Sequence, residues 1–158
     1  MSQVPSMGKV RASNRGAKFW GFPHWDRLGI LYARIALGAA FLSGIASRFG
    51  LYGKNTGYGN FANFVRYTGE VNSFMPASTI PFLAWAATAA ELFLGVGLVL
   101  GIWPRWVALG SALLLALFGI AMAISFGIIS PMDYSVFSAS AGSMLLALYE
   151  PRKASVSS

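Results

Sequence analysis

The sequence contains no cysteine and only one histidine, His24. Without cysteine the chain cannot form a disulfide, use a thiol as a nucleophile, attach haem through thioethers or hold a cysteine-ligated metal cluster. One histidine cannot supply a histidine-rich metal site within a single copy. We therefore expect no metal site in this chain.

Charged side chains are also scarce. They make up 11% of the 158 residues, whereas hydrophobic residues make up 56%. This is about half the charged fraction of a typical soluble domain, so a lipid bilayer is the simplest solvent for such a surface. Twelve Lys and Arg outnumber five Asp and Glu, for a net charge of +7. No soluble domain remains to carry a nucleic-acid interface, and we expect no nucleic-acid partner.

Four apolar segments follow one another along the chain: Leu28 to Ser47, Thr79 to Gly101, Trp106 to Ile129 and Tyr134 to Tyr149. About 20 helical residues cross a hydrocarbon core of about 30 Å, so the first three are long enough. The fourth is shorter and needs Met132 and Asp133, or a thinner bilayer, to span. The sequence predicts an all-α, integral membrane four-helix bundle at 28–149, between a basic cytoplasmic tail at 1–27 and a short one at 150–158.

Basic residues predict the orientation of these spans. Four spans place both termini on one side, which collects eight basic residues: Lys9, Arg11, Arg15, Lys18, Arg27, Arg105, Arg152 and Lys153. The other side holds Arg48, Lys54 and Arg66. The excess predicts cytoplasmic termini. The first apolar run is longer than the core of a signal peptide, so we expect it to be retained.

The segment between the first two spans, residues 48–78, is too long for a hairpin turn. Apolar positions recur there at helical spacing with polar residues between them: Phe61, Phe64, Val65, Thr68, Val71 and Met75. This pattern predicts a short amphipathic helix on the outer face of the bundle. Such a helix either caps the bundle or forms a lid over a site.

Glu91 lies inside the apolar stretch AWAATAAELFLGVGLVLGIWPR. An ionisable group at this depth is costly unless it is neutralised or paired. Arg34 in the first span is the natural partner, and we take both residues as candidate catalytic residues. Alternatively, Arg34 extends to the headgroups and Glu91 is protonated. A carboxyl here either relays a proton to a quinone or a solute, or fixes the register of the bundle.

A second polar set lies near the predicted outer rim. Aromatic rings beside cations suit a quinone head group or an anionic solute. The candidate cofactor-binding residues are Arg48, Trp85, Tyr67, Asp133 and Tyr134, with Lys54 and Arg66 nearby. The same residue types also form the interfacial belt of membrane proteins in general.

Several motifs resemble the DoxX family of small bacterial membrane proteins. They are ARIALGAAFLSGIASRFG from Ala33, NFVRY and FMP in the outer loop, AAELFLGVGLVLGIWPRWVAL around Glu91, and PMDYSVFSASAGSMLLAL from Pro131. Together they cover about residues 28 to 149. The order of an acid, a glycine-rich stretch and a basic turn is their most specific feature.

This resemblance implies four helices in the bacterial cytoplasmic membrane and a quinone-linked redox accessory subunit of a membrane oxidoreductase complex. The family's buried basic and acidic residues would correspond to Arg34 and Glu91, its loop base to Arg105, and the basic residue after its first span to Arg48. A membrane quinone, lipid and a partner redox subunit are the implied partners. A carrier or chaperone, or a structural partner without catalysis, are the alternatives.

Overall fold

The computed structural model describes residues 23–149, all in helices and turns. The helices are α1 (Pro23–Arg48), α2 (Phe61–Val71), α3 (Ile80–Leu100), α4 (Pro104–Phe126), α5 (Ile129–Asp133) and α6 (Val136–Tyr149). A 3-10 turn, Ala77–Thr79, leads into α3. The predicted tail at 150–158 lies outside the described residues, as does most of the one at 1–27. Helix α1 begins before the predicted boundary at residue 28, with a proline at its first position, where no backbone N–H is needed.

Three helices are long and apolar enough to cross a bilayer: Trp25–Arg48, Ala77–Leu100 and Pro104–Phe126. The chain is a membrane protein, as its composition predicted. Helix α6 is also apolar but has only 14 residues. At 1.5 Å per residue it is about 21 Å long, which is shorter than a hydrocarbon core of about 30 Å.

The helices pack as two extensive pairs, α1 with α3 and α4 with α6, and further contacts join α3 to α4 and α1 to α6. The buried core consists of Phe41, Leu94, Leu98, Val107, Ala108, Leu146 and Ala147. Gly38 permits the closest approach of α1 to α3. A methyl group there would lie 2.9 Å from the Gly95 carbonyl oxygen, closer than side-chain carbons come to backbone oxygens.

Helix α2 occupies the segment in which apolar residues recur at helical spacing. Its N-cap is Asn60, whose side chain accepts a hydrogen bond from the Asn63 N–H at 2.9 Å, as caps of this type do. It buries Phe64, Thr68 and Val71 and contacts α3 and α4. The Ser125 hydroxyl donates to the Val71 carbonyl at 2.6 Å, which fixes the end of α2 to α4.

The turn between α3 and α4 is tight. Gly101 ends α3 with a φ of 70°, and its N–H bonds to the Gly97 carbonyl, a left-handed helix end that favours glycine. Trp103 follows with a φ of 42°, and Pro104 begins α4. This turn brings the adjoining ends of α3 and α4 together, and Val107 packs close to Gly97.

Candidate functional site

Arg48 and Glu91 form a buried ion pair between the end of α1 and the middle of α3. The Arg48 Nη2 group donates to the two carboxylate oxygens of Glu91 at 2.7 and 2.6 Å. Its Nη1 group donates to the Thr88 hydroxyl oxygen at 3.0 Å. The two charged residues are only 5% and 3% exposed. Such charge-assisted contacts are the stronger kind of hydrogen bond, so the pair links α1 firmly to α3.

The predicted pairing of Glu91 with Arg34 is therefore wrong. The Arg34 Nε donates to the Leu98 carbonyl oxygen at 3.0 Å, seven residues or about 10 Å further along α3 than Glu91. Because α1 and α3 are antiparallel, the first half of α1 lies beside the last turns of α3. Arg34 thus places a cation at a helix C-terminus, where it interacts favourably with the exposed carbonyls.

Side-chain direction explains why Arg48 is the partner. Helical side chains lean toward the N-terminus of their own helix. Arg48 leans from the end of α1 back into the span. Glu91 leans toward the end of the bundle at which Arg48 lies, so the two side chains converge. Gly44, one turn before Arg48, faces the pair, and a methyl group there would make only an ordinary van der Waals contact, 3.6 Å from Glu91 Oε2. The same rule separates Arg34 from Glu91.

A cavity of about 780 Å³ opens beside this ion pair. Its long wall is apolar and comes mainly from α3 and α4. That wall includes Leu83, Ala86, Ala87, Ala90, Leu114, Leu115, Leu117, Phe118, Ala121 and Met122. The rest of the lining carries polar side chains, and we call this part the polar end. Its residues are Arg48, Tyr58, Tyr67, Thr68, Asn72, Glu91 and Tyr134. Leu117 is 53% exposed, so the cavity reaches the surface beside α4. We call this space the amphipathic cavity.

Helix α2 and the loop before it cover the polar end of the amphipathic cavity. The Tyr58 ring packs on Phe64 at 5.1 Å and on Tyr67 at 5.5 Å between ring centroids. The Tyr58 N–H donates to the Ser47 hydroxyl oxygen at 3.0 Å. Gly57 turns the loop with a φ of 63°, and any side chain there would collide with Ser47. The glycine-rich loop therefore serves to place Tyr58 against α2.

The phenols of Tyr58 and Tyr67 remain protonated at physiological pH. Burial, followed by the nearby Tyr67, raises the pKa of Tyr58 to about 12. Burial, followed by Tyr134 and Glu70, also raises the pKa of Tyr67 above its usual value. Both hydroxyls can therefore donate hydrogen bonds to a ligand.

Arg48 retains one buried donor that no protein atom accepts, its Nε N–H. Its guanidinium carbon lies 3.8 Å from the centroid of the Phe64 ring, a distance typical of a cation–π contact. Buried polar groups are nearly always hydrogen-bonded, and each exception calls for an explanation. Here the cation–π contact partly offsets the missing hydrogen bond.

A second, smaller cavity of about 180 Å³ lies on the other side of Glu91. Its lining is otherwise apolar: Leu37, Ala40, Phe41, Leu115, Phe118 and Ala139. Glu91, Leu115 and Phe118 line both cavities. Glu91 is thus part of the wall between them.

The structure brings together some of the residues predicted from the sequence. Of the predicted cofactor-binding residues, Arg48, Tyr67 and Tyr134 line the amphipathic cavity with Glu91. Trp85 instead packs against Phe61 at 4.3 Å between ring centroids, and neither Trp85, Asp133 nor Arg34 is part of the cavity lining.

Sequence analysis missed Tyr58 and Asn72, which also line the amphipathic cavity. Tyr58 follows three closely spaced glycines, Gly50, Gly53 and Gly57. This spacing is the feature of the sequence that indicates a loop folded back on the bundle. Within residues 23–149 no cluster of three or more metal-ligating side chains occurs.

Comparison with known proteins identifies the family. No curated protein and no solved structure matches the chain significantly. The family model DoxX matches residues 29–124, which is more than half of the chain and includes most of α1 and α4, all of α2 and α3, and both residues of the buried ion pair. The chain therefore belongs to the DoxX family.

Proposed function

We propose that this protein binds a membrane quinone in the amphipathic cavity and acts as a quinone-linked accessory subunit of a membrane oxidoreductase complex. The observation that carries the proposal is the cavity itself, about 780 Å³ with an apolar wall and a polar end. Ligand sites in proteins are typically apolar clefts of this size with a few convergent polar groups.

The residues at the polar end fit a quinone head group. Tyr58, Tyr67 and Tyr134 line the cavity together with the Arg48–Glu91 pair. Their hydroxyl groups are donors that a carbonyl oxygen can accept from. The small side chains of Ala86, Ala87 and Ala90 leave room for a ring beside α3.

A bound quinone supplies reversible two-electron, two-proton chemistry. The chain's own residues would hold the head group, keep bulk water from it and place the Glu91 carboxylate nearby. Electrons would come from a partner redox subunit. Because Leu117 on the cavity wall is exposed on the spanning helix α4, ligand would reach the cavity from the lipid.

We also propose that the chain crosses the bacterial inner membrane four times with both termini in the cytoplasm. Helices α5 and α6 would together make the fourth span, and α2 would lie at the outer surface as an amphipathic helix over the cavity. The membrane domain would be residues 28–149. Arg105 in the α3–α4 turn would then face the cytoplasm, as its charge favours.

Mass spectrometry of the organic extract tests the proposal. The protein is purified in native-lipid discs beside two variants, Ala87→Phe, which fills the cavity, and Ala89→Phe on an exposed position of the same helix. We expect quinone enriched with the wild type and Ala89→Phe and lost from Ala87→Phe. Bulk lipid alone in all three samples would contradict quinone binding and favour the carrier or structural alternatives.

A further inference from the structure

Three residues separate the amphipathic cavity from the smaller cavity behind Glu91, which we call the small cavity. Glu91 of α3 and both Leu115 and Phe118 of α4 line the two spaces. Leu115 and Phe118 are three residues apart, so they lie on one face of α4, and both are only partly buried. The partition therefore includes two apolar side chains that have room to change rotamer.

The amphipathic cavity extends along α3 as far as this partition. Its wall on α3 begins at Leu83 and ends at Ala90 and Glu91, which is about 12 Å along the helix axis. Tyr67 belongs to α2, which Ser125 holds to the last turn of α4. Because α3 and α4 are antiparallel, α2 lies near the first turns of α3. A ligand with its head group beside Tyr67 therefore has an apolar wall between that head group and the partition.

The small cavity has the size and lining that suit a hydrocarbon group. Apart from Glu91 its lining is apolar, and Ala40 and Ala139 contribute only short side chains. Its volume of about 180 Å³ exceeds the roughly 150 Å³ of an engineered apolar cavity that binds benzene. Both carboxylate oxygens of Glu91 already accept hydrogen bonds from Arg48, so an apolar group beside Glu91 deprives no polar group of its partner.

A chain that comes from lipid still gains free energy in this space. Lipid chains are as apolar as the cavity lining, so the transfer itself adds no hydrophobic driving force. The gain comes from dispersion contacts, because atoms around an incompletely filled space lack partners on one side. A chain attached to a head group in the amphipathic cavity reaches these contacts as an intramolecular event, which favours it over a separate lipid chain.

We propose that the small cavity is a tail subsite. It binds the hydrocarbon chain of the amphiphile whose head group lies in the amphipathic cavity, and Leu115 and Phe118 rotate to admit that chain. The inference rests on the proposed function, since it requires an amphiphile in the amphipathic cavity. It adds that the ligand carries a chain long enough to pass Phe118. The isoprenoid chain of a quinone and the acyl chain of a lipid share this chemistry, and the experiment separates them.

Photocrosslinking locates the end of the chain. Two benzoquinone probes carry a diazirine at the end of a chain of four or ten carbons, and a phosphatidylcholine probe carries one at the end of an acyl chain. Each probe is added to the full chain in native-lipid discs, and labelled residues are identified by peptide mass spectrometry. Ala139→Phe fills the small cavity, and Ala141→Phe at an exposed position of α6 is its control. Ala40→Phe and Ala39→Phe form the matching pair on α1.

We expect the ten-carbon quinone probe to label Leu37 and Phe41 on the α1 side of the small cavity. The four-carbon probe should label only the lining of the amphipathic cavity. Ala139→Phe and Ala40→Phe should each reduce labelling of Leu37 and Phe41 at least about tenfold, because a ring in the filled space leaves no room for the chain. The two control variants should be labelled like the wild type.

The outcomes separate this inference from the proposed function. Labelling by the ten-carbon probe only around Leu117 overturns the tail subsite and leaves quinone binding intact, because the chain then leaves the cavity toward the lipid. Labelling of Leu37 by the phosphatidylcholine probe and not by the ten-carbon quinone also overturns it, since a separate lipid then fills the space. Absence of labelling by both quinone probes overturns the quinone proposal as well. If Ala139→Phe does not fold, Ala40→Phe decides, and unchanged labelling in that variant overturns the inference.

Discussion

Helices α3 and α4 meet tightly at one end and separate at the other. At the closed end, near the α3–α4 turn, Leu98 and Ala108 are completely buried and Val107 packs against Gly97. At the open end, near α2, Ala87 and Ala121 face the amphipathic cavity. Both ends are built from small and aliphatic residues, so composition alone does not distinguish them. The difference comes from what holds the helices: a tight turn at one end, and α2 with the Arg48–Glu91 pair at the other.

Two of the three arginines of α1, Arg34 and Arg48, have different roles at these two ends. Arg34 serves the closed end, where it caps α3 at the Leu98 carbonyl. Arg48 serves the open end, where it neutralises Glu91 and lines the cavity. Stability and ligand binding should therefore respond separately to substitutions at the two ends.

Arg48→Ala should have the largest effect on stability. It leaves Glu91 buried without its counter-ion, which typically costs about 3–5 kcal/mol. Thermal unfolding in detergent measures the loss, with Arg66→Ala, an exposed arginine, as a control that should not change the melting temperature. The double variant Arg48→Ala/Glu91→Ala should be more stable than Arg48→Ala alone. Additive losses from the two sites would show that they do not interact.

Ala108→Phe should be the next most damaging change. Ala108 is fully buried at the closed end, and overpacking a dense core typically costs about 1–3 kcal/mol. The matched variant Ala87→Phe places the same ring in the amphipathic cavity and should melt close to the wild type. Equal destabilisation by both substitutions, measured in the same detergent, would show that the open end is as dense as the closed one.

Arg34→Gln should have a smaller effect, about 1–2 kcal/mol, because it weakens a charged hydrogen bond at the end of α3. Ligand affinity should stay unchanged, since Arg34 does not line the cavity. Arg27→Gln, an exposed arginine on the same helix, is the control. A loss of quinone affinity in a stable Arg34→Gln variant would contradict this division of roles and restore Arg34 as a candidate catalytic residue.

The smallest expected effect concerns the phenol of Tyr58. Because burial raises its pKa to about 12, the neutral form is favoured in the folded protein. This contribution to stability is fully present below the usual tyrosine pKa of 10.0 and is lost as the pH rises toward 12. Absorbance titration of tyrosinate should show a transition near 12 that Tyr58→Phe removes. If all the tyrosines titrated near pH 10, Tyr58 would be exposed to solvent and this prediction would be wrong.

Much of the fold is evident in the sequence because hydrophobic length is a local property. The runs around α1, α3 and α4 are each long enough to span, and the helical spacing from Phe61 onward marks α2. The boundary of α1 differs because its first turn is polar and charged, and Pro23 at the first position does not break the helix. The break between α5 and α6, at Ser135 with a φ of 55°, leaves no comparable pattern in the sequence.

The candidate site was only partly predictable. Glu91 stands out because a lone acid in an apolar run is costly wherever its helix lies. Its partner depends on which turns of two antiparallel helices face each other, and the hydrophobic pattern assigns Arg48 to the loop because it is the last residue of α1. The direction in which helical side chains lean identifies it. The cavity could not be predicted, because it arises from the divergence of α3 and α4.

The small cavity behind Glu91 has a mechanical consequence. Unfolding under hydrostatic pressure is favoured by the loss of incompletely filled space, and about 180 Å³ of such space lies where α1, α3, α4 and α6 meet. Compression should therefore act first on the packing around Phe41 and Phe118, beside the ion pair, and leave the closed end least affected. The region that the Arg48–Glu91 ion pair holds together is therefore also a region of incomplete packing.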